Sequence, residues 1–176
     1  MTTRALSIPR RTALLVGGLA LIATPLLSGC YSGFGATTTM QASMNSGNGT
    51  QAQAGAIRIE NATLVMGPEG SRTGTLIASM VNGAADPDRL VAVTIAGKPA
   101  YITPGLDILA FNDLVDFGYD GIHWINAYDL DAAVSTYVPV QLQFERAGNV
   151  EFTVLTVPPT GIYEGIAPTP ATAPIG

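Results

Sequence analysis

The chain has few residues that carry redox, metal or acid–base chemistry: its 176 residues include one Cys and one His. A single Cys excludes an intramolecular disulfide framework and a Cys-rich zinc or iron–sulfur site. A single His excludes a His-rich metal cage and a pair of catalytic histidines. Eight Lys and Arg stand against 13 Asp and Glu. This balance excludes a strongly basic nucleic-acid binder, because a phosphate backbone demands clustered positive charge.

The residues that are abundant indicate a folded chain rich in strands and turns. Hydrophobic residues make up 47% and charged residues 12%, whereas a wholly disordered chain would be poor in the former and rich in the latter. Twenty Gly and 12 Pro favour short strands joined by turns over long surface helices.

The N-terminus has the order of an export signal. Arg4, Arg10 and Arg11 form a positive region without acidic residues, and residues 13–27 are apolar. That run falls within the range of a signal-peptide core and is shorter than the roughly 20 residues of a spanning helix. The arginine pair also fits loosely with twin-arginine export, so the Sec and Tat routes both stay open.

The end of this segment resembles the lipobox of bacterial lipoprotein precursors, in which small residues precede an invariant Cys. Leu27, Ser28 and Gly29 lead to Cys30. The resemblance implies that the Cys30 thiol receives a diacylglyceryl group and becomes the new N-terminus. A thiol suits this S-alkylation, and two acyl chains anchor a protein stably where one does not. The alternative is an ordinary secretory signal cut elsewhere, which would leave Cys30 as a free thiol.

Composition divides the chain into four regions. We expect a lipoprotein signal peptide at residues 1–29 and a flexible Ser/Thr/Gly/Asn-rich membrane tether at 30–53. We expect one folded domain at 54–157 and a disordered Pro/Ala/Thr-rich tail at 158–176.

The folded domain has the period of β-strands. Apolar residues alternate with polar ones over 138–144 and again over 150–154, with turn residues at 147–149, which predicts a β-hairpin. Apolar runs at 75–81 and 90–95 are typical of central strands. Further candidate strands lie at 57–60, 101–102, 107–111 and 122–127. Seven or eight short strands predict an all-β fold, an antiparallel sandwich of the immunoglobulin-like kind.

Three segments of this domain form a set: NGAADPDRLVAV at 82–93, the Gly121-Ile122-His123 segment, and the hairpin VPVQLQFERAGNVEFTVLTV at 138–157. Together they resemble the PCu(A)C family of extracytoplasmic copper chaperones. The flanks resemble the lipid-anchored actinobacterial branch of that family. The resemblance implies a cupredoxin-like β-sandwich in an extracytoplasmic protein.

The resemblance also locates a copper site, from which this sequence departs. The family binds copper through His and Met, ligands that suit Cu(I). His123 matches the family's His, but Ile125 stands where the partner Met is expected. The upstream ligand position falls near Thr103. His123 is therefore a candidate metal ligand in a chain that lacks most of the motif, and no other cofactor is expected.

Aromatic residues around His123 suggest a second kind of site. Tyr119, Trp124 and Tyr128 could form an exposed recognition patch, or they could be ordinary packing at the rim of the sandwich.

Together these patterns predict a non-enzymatic binding module, anchored by lipid on the extracytoplasmic face of the cell membrane, that contacts another envelope protein and no nucleic acid. No nucleophile elbow or other catalytic motif accompanies the single His. Two alternatives are a copper chaperone with an altered site that includes His123, and a purely structural cell-envelope lipoprotein.

Overall fold

The structure, a computed structural model, describes residues 47–104, 112–118, 122–166 and Pro168, and these residues form an all-β fold. The strands are β1 (Thr50–Ala54), β2 (Ile57–Met66), β3 (Gly74–Asn82), β4 (Leu90–Ile95), β5 (Lys98–Ile102), β6 (Leu114–Phe117), β7 (Ile125–Ala127), β8 (Tyr137–Phe144) and β9 (Gly148–Val157). The predicted all-β class is confirmed. The predicted strand at 107–111 lies outside the described residues.

Seven strands close into a ring in the order β2-β9-β8-β4-β5-β7-β3, with β3 pairing back to β2. All pairs in this ring are antiparallel except β2–β9, which runs parallel through Leu64↔Thr156 and Val65↔Val157. Strands β1 and β6 pair outside the ring, on β2 and β3. The ring is a closed sandwich of the predicted kind, to which β1 and β6 add two strands that sequence periodicity did not predict.

The β8–β9 hairpin shows why the period of two is informative. Side chains of β8 alternate between exposed and buried along its whole length, and Val138, Val140, Leu142 and Phe144 face the core. The hairpin closes at the Phe144↔Gly148 pair, so the predicted hairpin is confirmed. The same inner face receives the buried side chains of β2, β3 and β4, which form one continuous core.

A second, smaller apolar cluster lies on the outer face of the sheet. Val65, Ile77 and Val157 are buried there, and Tyr163 and Ile166 pack against them. The chain reaches this face through a 3-10 helix at Gly161–Tyr163. Central strands β2 and β3 are therefore covered on both faces, which explains their continuous apolar runs.

The ordered fold extends past both predicted domain boundaries. Strand β1 begins at Thr50, so it includes residues assigned to the tether, and the 3-10 helix lies within the predicted tail. Neither segment has an apolar period, because β1 gains its order by pairing with β2 and the tail segment by packing on the outer cluster.

The predicted signal peptide and the lipobox with Cys30 lie outside the described residues. Within the described ranges, no helix is both long enough and apolar enough to cross a membrane.

One buried carboxylate joins two distant turns. Asp88, 7% exposed, precedes β4. Its Oδ1 accepts hydrogen bonds from the backbone N–H groups of Arg89 at 2.7 Å and Arg146 at 3.0 Å, and its Oδ2 accepts one from Ala147 at 2.8 Å. The Glu145 N–H donates to the Arg89 carbonyl at 2.9 Å. Asp88 thus fixes the β8–β9 turn against the start of β4, where the β4–β8 ladder begins.

Replacing this carboxylate should destabilise the whole domain. Asp88→Ala leaves backbone N–H groups of the hairpin turn without their acceptor, and we expect a loss of about 3 kcal/mol in the free energy of unfolding. Urea denaturation followed by circular dichroism measures this loss as a lower midpoint. The control is Asp86→Ala, which removes an exposed carboxylate 3.5 Å from the Arg146 guanidinium and should cost less than about 0.5 kcal/mol. Equal losses in the two variants would contradict the role given to Asp88.

Candidate functional site

The described residues of the predicted site, His123, Trp124 and Tyr128, flank β7, which forms a two-stranded ribbon with β5. The register pairs Ala100 with Ala127, Tyr101 with Asn126, and Ile102 with Ile125. Because side chains alternate across a strand, successive residues of each strand belong to opposite faces of the ribbon. One face lies on the core and the other points outward.

His123 lies on the core side of this ribbon. Its ring centroid is 6.3 Å from that of Phe117, which is fully buried, and its Nδ1 atom is itself buried. Two residues on, Ile125 is also fully buried in the core. The imidazole therefore sits half-buried at the margin of the core and shares its face with apolar side chains.

A glycine lets the chain before His123 approach the sheet. Gly118 has φ of +80°, and its N–H donates to the His123 carbonyl at 2.8 Å. A Cβ added at Gly118 would lie 2.5 Å from Cγ2 of Ile77. Both the backbone angle and the close contact demand glycine at this position.

Thr103 is brought next to Trp124 and binds its backbone. The Thr103 Oγ1 accepts a hydrogen bond from the Trp124 N–H at 2.6 Å and lies 3.2 Å from the Trp124 carbonyl oxygen, to which it can donate. The Thr103 N–H donates to the same carbonyl at 3.0 Å. These bonds extend the ribbon by one residue pair beyond the ladder.

The outer face of the ribbon is aromatic. Alternation places Asn126 of β7 and Tyr101 of β5 on this face, and continuing it by one residue at each end of the central Asn126 positions places Trp124 and Tyr128, which flank β7, there as well. Tyr101 and Tyr128 make an edge-to-face contact with their centroids 5.6 Å apart and their planes at 74°. The Thr75 hydroxyl donates to Oδ1 of Asn126 at 2.7 Å, which ties the ribbon to β3. We call Tyr101, Trp124 and Tyr128 the aromatic ribbon surface.

The predicted recognition patch overlaps this surface only in part. Tyr119 lies outside the described residues. Trp124 and Tyr128 share a face, about 13 Å apart along the chain at roughly 3.3 Å per residue. Tyr101, which the sequence did not single out, lies between them because β5 pairs with β7. All three described aromatic residues are half-buried, and whether they recognise a partner remains a prediction.

Charges gather at one end of the aromatic ribbon surface. The Asp129 carboxylate lies 2.8 Å from the Arg72 guanidinium and 3.3 Å from the Lys98 ammonium. These side chains are largely exposed, so the pairs contribute little to stability. They border the surface, and its three aromatic residues carry no formal charge.

The residues at the predicted copper position do not offer a set of copper ligands. His123 supplies an imidazole, whereas Ile125 is apolar and Thr103 uses its hydroxyl on Trp124. Among the described residues, no group of three His, Cys, Asp or Glu side chains is placed to hold a metal ion. Met66 and Met80 are buried in the core, on β2 and β3.

A cleft of about 350 Å³ lies near Asp88, between the β1–β2 turn, the β3–β4 loop and the β8–β9 turn. Its main polar groups are used within the fold. Besides the bonds of Asp88, the Asn82 Nδ2 donates to the Asp86 carbonyl and its Oδ1 accepts from the Ala84 N–H, both at 2.9 Å. Asp88 and Asn82 of this cleft therefore hold the three loops together.

Comparison with known proteins identifies the fold. No family model and no curated protein matches the chain. Among solved structures, the chain is similar to the apo PCuAC domain from PmoF1, at 21% identity and a TM-score of 0.56, over 62% of this chain and 99% of that domain. It is similar to the apo PmoF2 PCuAC domain at 24% identity and a TM-score of 0.52, over 63% and 97%. The copper-bound PCuAC domain from PmoF2 is 22% identical, with a TM-score of 0.50 over 62% and 98%.

These similarities assign the fold class. The described chain has the cupredoxin-like β fold of the PCuAC domains. At such low identity the likeness concerns the fold alone. What the site does must be argued from the residues of this chain.

The Thr103 hydroxyl should matter for the local order of Trp124. Thr103→Val keeps the shape of the side chain but removes the acceptor of the Trp124 N–H, and we expect a loss of about 1 kcal/mol in the free energy of unfolding. Thr103→Ser keeps the hydroxyl and should retain most of that stability. Urea denaturation followed by the fluorescence of the only Trp measures both. Equal losses in Val and Ser variants would show that the hydroxyl bond is unimportant.

Proposed function

We propose that this protein is a lipid-anchored, non-enzymatic binding module on the extracytoplasmic face of the membrane. In this proposal a PCuAC-like fold has lost its copper cargo and binds an envelope protein through the aromatic ribbon surface. The observation that carries the proposal is the separation of the two faces of the ribbon. The core face holds His123 beside apolar groups, whereas the outer face carries three half-buried aromatic side chains.

The ligand chemistry of this chain does not favour copper transport. A Cu(I) chaperone needs several soft or imidazole ligands on one face, because a single imidazole gives neither affinity nor selectivity. Ile125 contributes apolar packing where a thioether would be required, and it is fully buried. The PCuAC domain from PmoF2 has been solved with copper bound. The residues of this chain favour the loss of copper binding.

The outer face of the ribbon has the aromatic composition that favours binding to another protein. Aromatic side chains provide large contact areas with little conformational entropy to lose, and they are enriched where proteins bind one another. The bonds of Asn126 to Thr75 and of Trp124 to Thr103 hold this surface rigid. A rigid surface reduces the entropic cost of association.

The sequence of the N-terminal segment supports a lipid anchor. Leu27, Ser28, Gly29 and Cys30 form the lipobox-like segment that follows the basic and apolar regions. Diacylation of Cys30 would hold the domain at the membrane surface.

The copper proposal is tested by Cu(I) competition against a calibrated chelator, with a chain that starts at Tyr31. We expect no tight one-to-one binding and no difference between this chain and His123→Ala. Tight binding that His123→Ala abolishes would overturn the proposal and favour a copper chaperone with an altered site.

A gain-of-function variant serves as the matched control. Ile125→Met restores the His-x-Met spacing with a side chain of similar volume, which should cost less than about 1.5 kcal/mol. We expect Ile125→Met to compete for Cu(I) measurably better than the natural sequence, which would show that the assay detects this site.

The anchor is tested by metabolic labelling with an alkyne-tagged fatty acid in a bacterial host that processes lipoproteins. We expect the natural chain to be labelled, Cys30→Ser to be unlabelled, and the neighbouring control Ser32→Ala to be labelled normally. Label retained by Cys30→Ser would contradict lipidation at Cys30.

A further inference from the structure

We propose that the proline-rich end of the chain, Thr169–Gly176, docks on the aromatic ribbon surface of its own domain. This inference rests on the proposed binding role of that surface and concerns its regulation. In the absence of a partner, the tail would be its first occupant.

Pro168 lies against the residue that precedes β3. The Thr73 hydroxyl donates to the Pro168 carbonyl at 3.5 Å. Thr73 directly precedes β3, and alternation places it on the outer face with Thr75 and Ile77. The chain before Pro168 already follows this face, since Tyr163 and Ile166 pack on the outer cluster.

The register of β3 with β7 places Thr73 beside the aromatic ribbon surface. Gly74 pairs with Ala127 and Thr75 with Asn126, so Thr73 lies next to the position of Tyr128. A segment that continues from Pro168 would therefore start beside the aromatic ribbon surface and on the same side of the sheet. The polyproline II conformation spans about 3.1 Å per residue, so eight residues reach about 25 Å. The distance from Tyr128 to Trp124 is only about 13 Å.

The composition of residues 169–176 suits docking on an aromatic surface. Residues 169–176 read TPATAPIG, with prolines at 170 and 174 and no charged side chain. Proline preorganises an extended segment, which lowers the entropy lost on docking. Aromatic-lined surfaces are the usual acceptors of such segments, because proline rings pack on aromatic faces. Tyr101, Trp124 and Tyr128 provide such a surface. None of these three side chains carries a formal charge whose desolvation would oppose docking.

Docking of the tail would make the surface selective. A linked segment acts at an effective concentration of roughly millimolar, so only a partner that binds more strongly than the tail would displace it. An envelope protein would then bind only where its local concentration is high enough for it to displace the tail.

Trp124, the only Trp in the chain, reports this docking without any partner. The experiment compares a chain from Tyr31 to Gly176 with one that stops at Pro168, and uses emission wavelength and acrylamide quenching. We expect the shorter chain to emit at longer wavelength and to be quenched more strongly. Added TPATAPIG peptide should reverse both changes at roughly millimolar concentration.

Full-length variants separate docking from truncation damage. Pro170→Ala with Pro174→Ala should imitate the shorter chain, whereas Thr169→Ala with Thr172→Ala should behave as the natural chain. Identical quenching in the long and short chains would overturn the inference. So would a scrambled peptide that restores the signal equally well.

A sedimentation measurement identifies the source of the tail. A monomeric long chain with protected Trp124 supports docking within one molecule, whereas protection that appears only in a dimer would overturn it in favour of a second copy. Failure of tail docking leaves the proposed partner binding intact, because that binding is tested separately. The chain that stops at Pro168, with a photoreactive residue in place of Tyr101, should crosslink to an envelope protein whether or not the tail docks. Failure of both would remove the role given to the aromatic ribbon surface.

Discussion

The bonds from Asp88 to the β8–β9 turn are the constraint on which the arrangement of the sheet depends. The acceptor and two of its donors are 58 and 59 residues apart in sequence, and they meet where the β4–β8 ladder starts. A buried carboxylate is tolerated only when its charge is compensated, and here three backbone N–H groups compensate it. With β4 and β8 fixed in register, β5 and then β7 follow in the ring. The candidate site therefore lies across β5 from β4, at the ribbon of β5 and β7.

The sequence predicts those parts of the fold whose order is local. Alternation over 138–154 reveals the hairpin because its partners are adjacent in the chain. Strand β1 has only Thr, Gln and Ala, and its order comes from pairing with β2, so no apolar period marks it. The parallel contact of β2 with β9 joins residues about ninety positions apart, and no local pattern encodes such a pairing.

The candidate site shows the same division. His123, Trp124 and Tyr128 are visible in sequence because they are rare residue types close together. Tyr101 was missed because it reaches Tyr128 only through the register of β5 with β7. The separation of His123 from the aromatic residues follows from alternation once β7 is known to be a strand. Two neighbouring residues thus serve different faces, and a metal site and a recognition surface are not interchangeable interpretations of one cluster.

Strand β3 has a property that follows from its surroundings. It pairs with β2 on one edge and with β6 and β7 on the other, while the core covers one face and the outer cluster covers the other. Amide protons enclosed in this way exchange with solvent only when the whole domain opens, whereas those of peripheral segments exchange through local fluctuations. Strand β3 is therefore the slowly exchanging centre of the domain, and the aromatic ribbon surface is tied to it through Thr75 and Asn126. Such a centre would preserve the fold of the domain while its peripheral strands open and close.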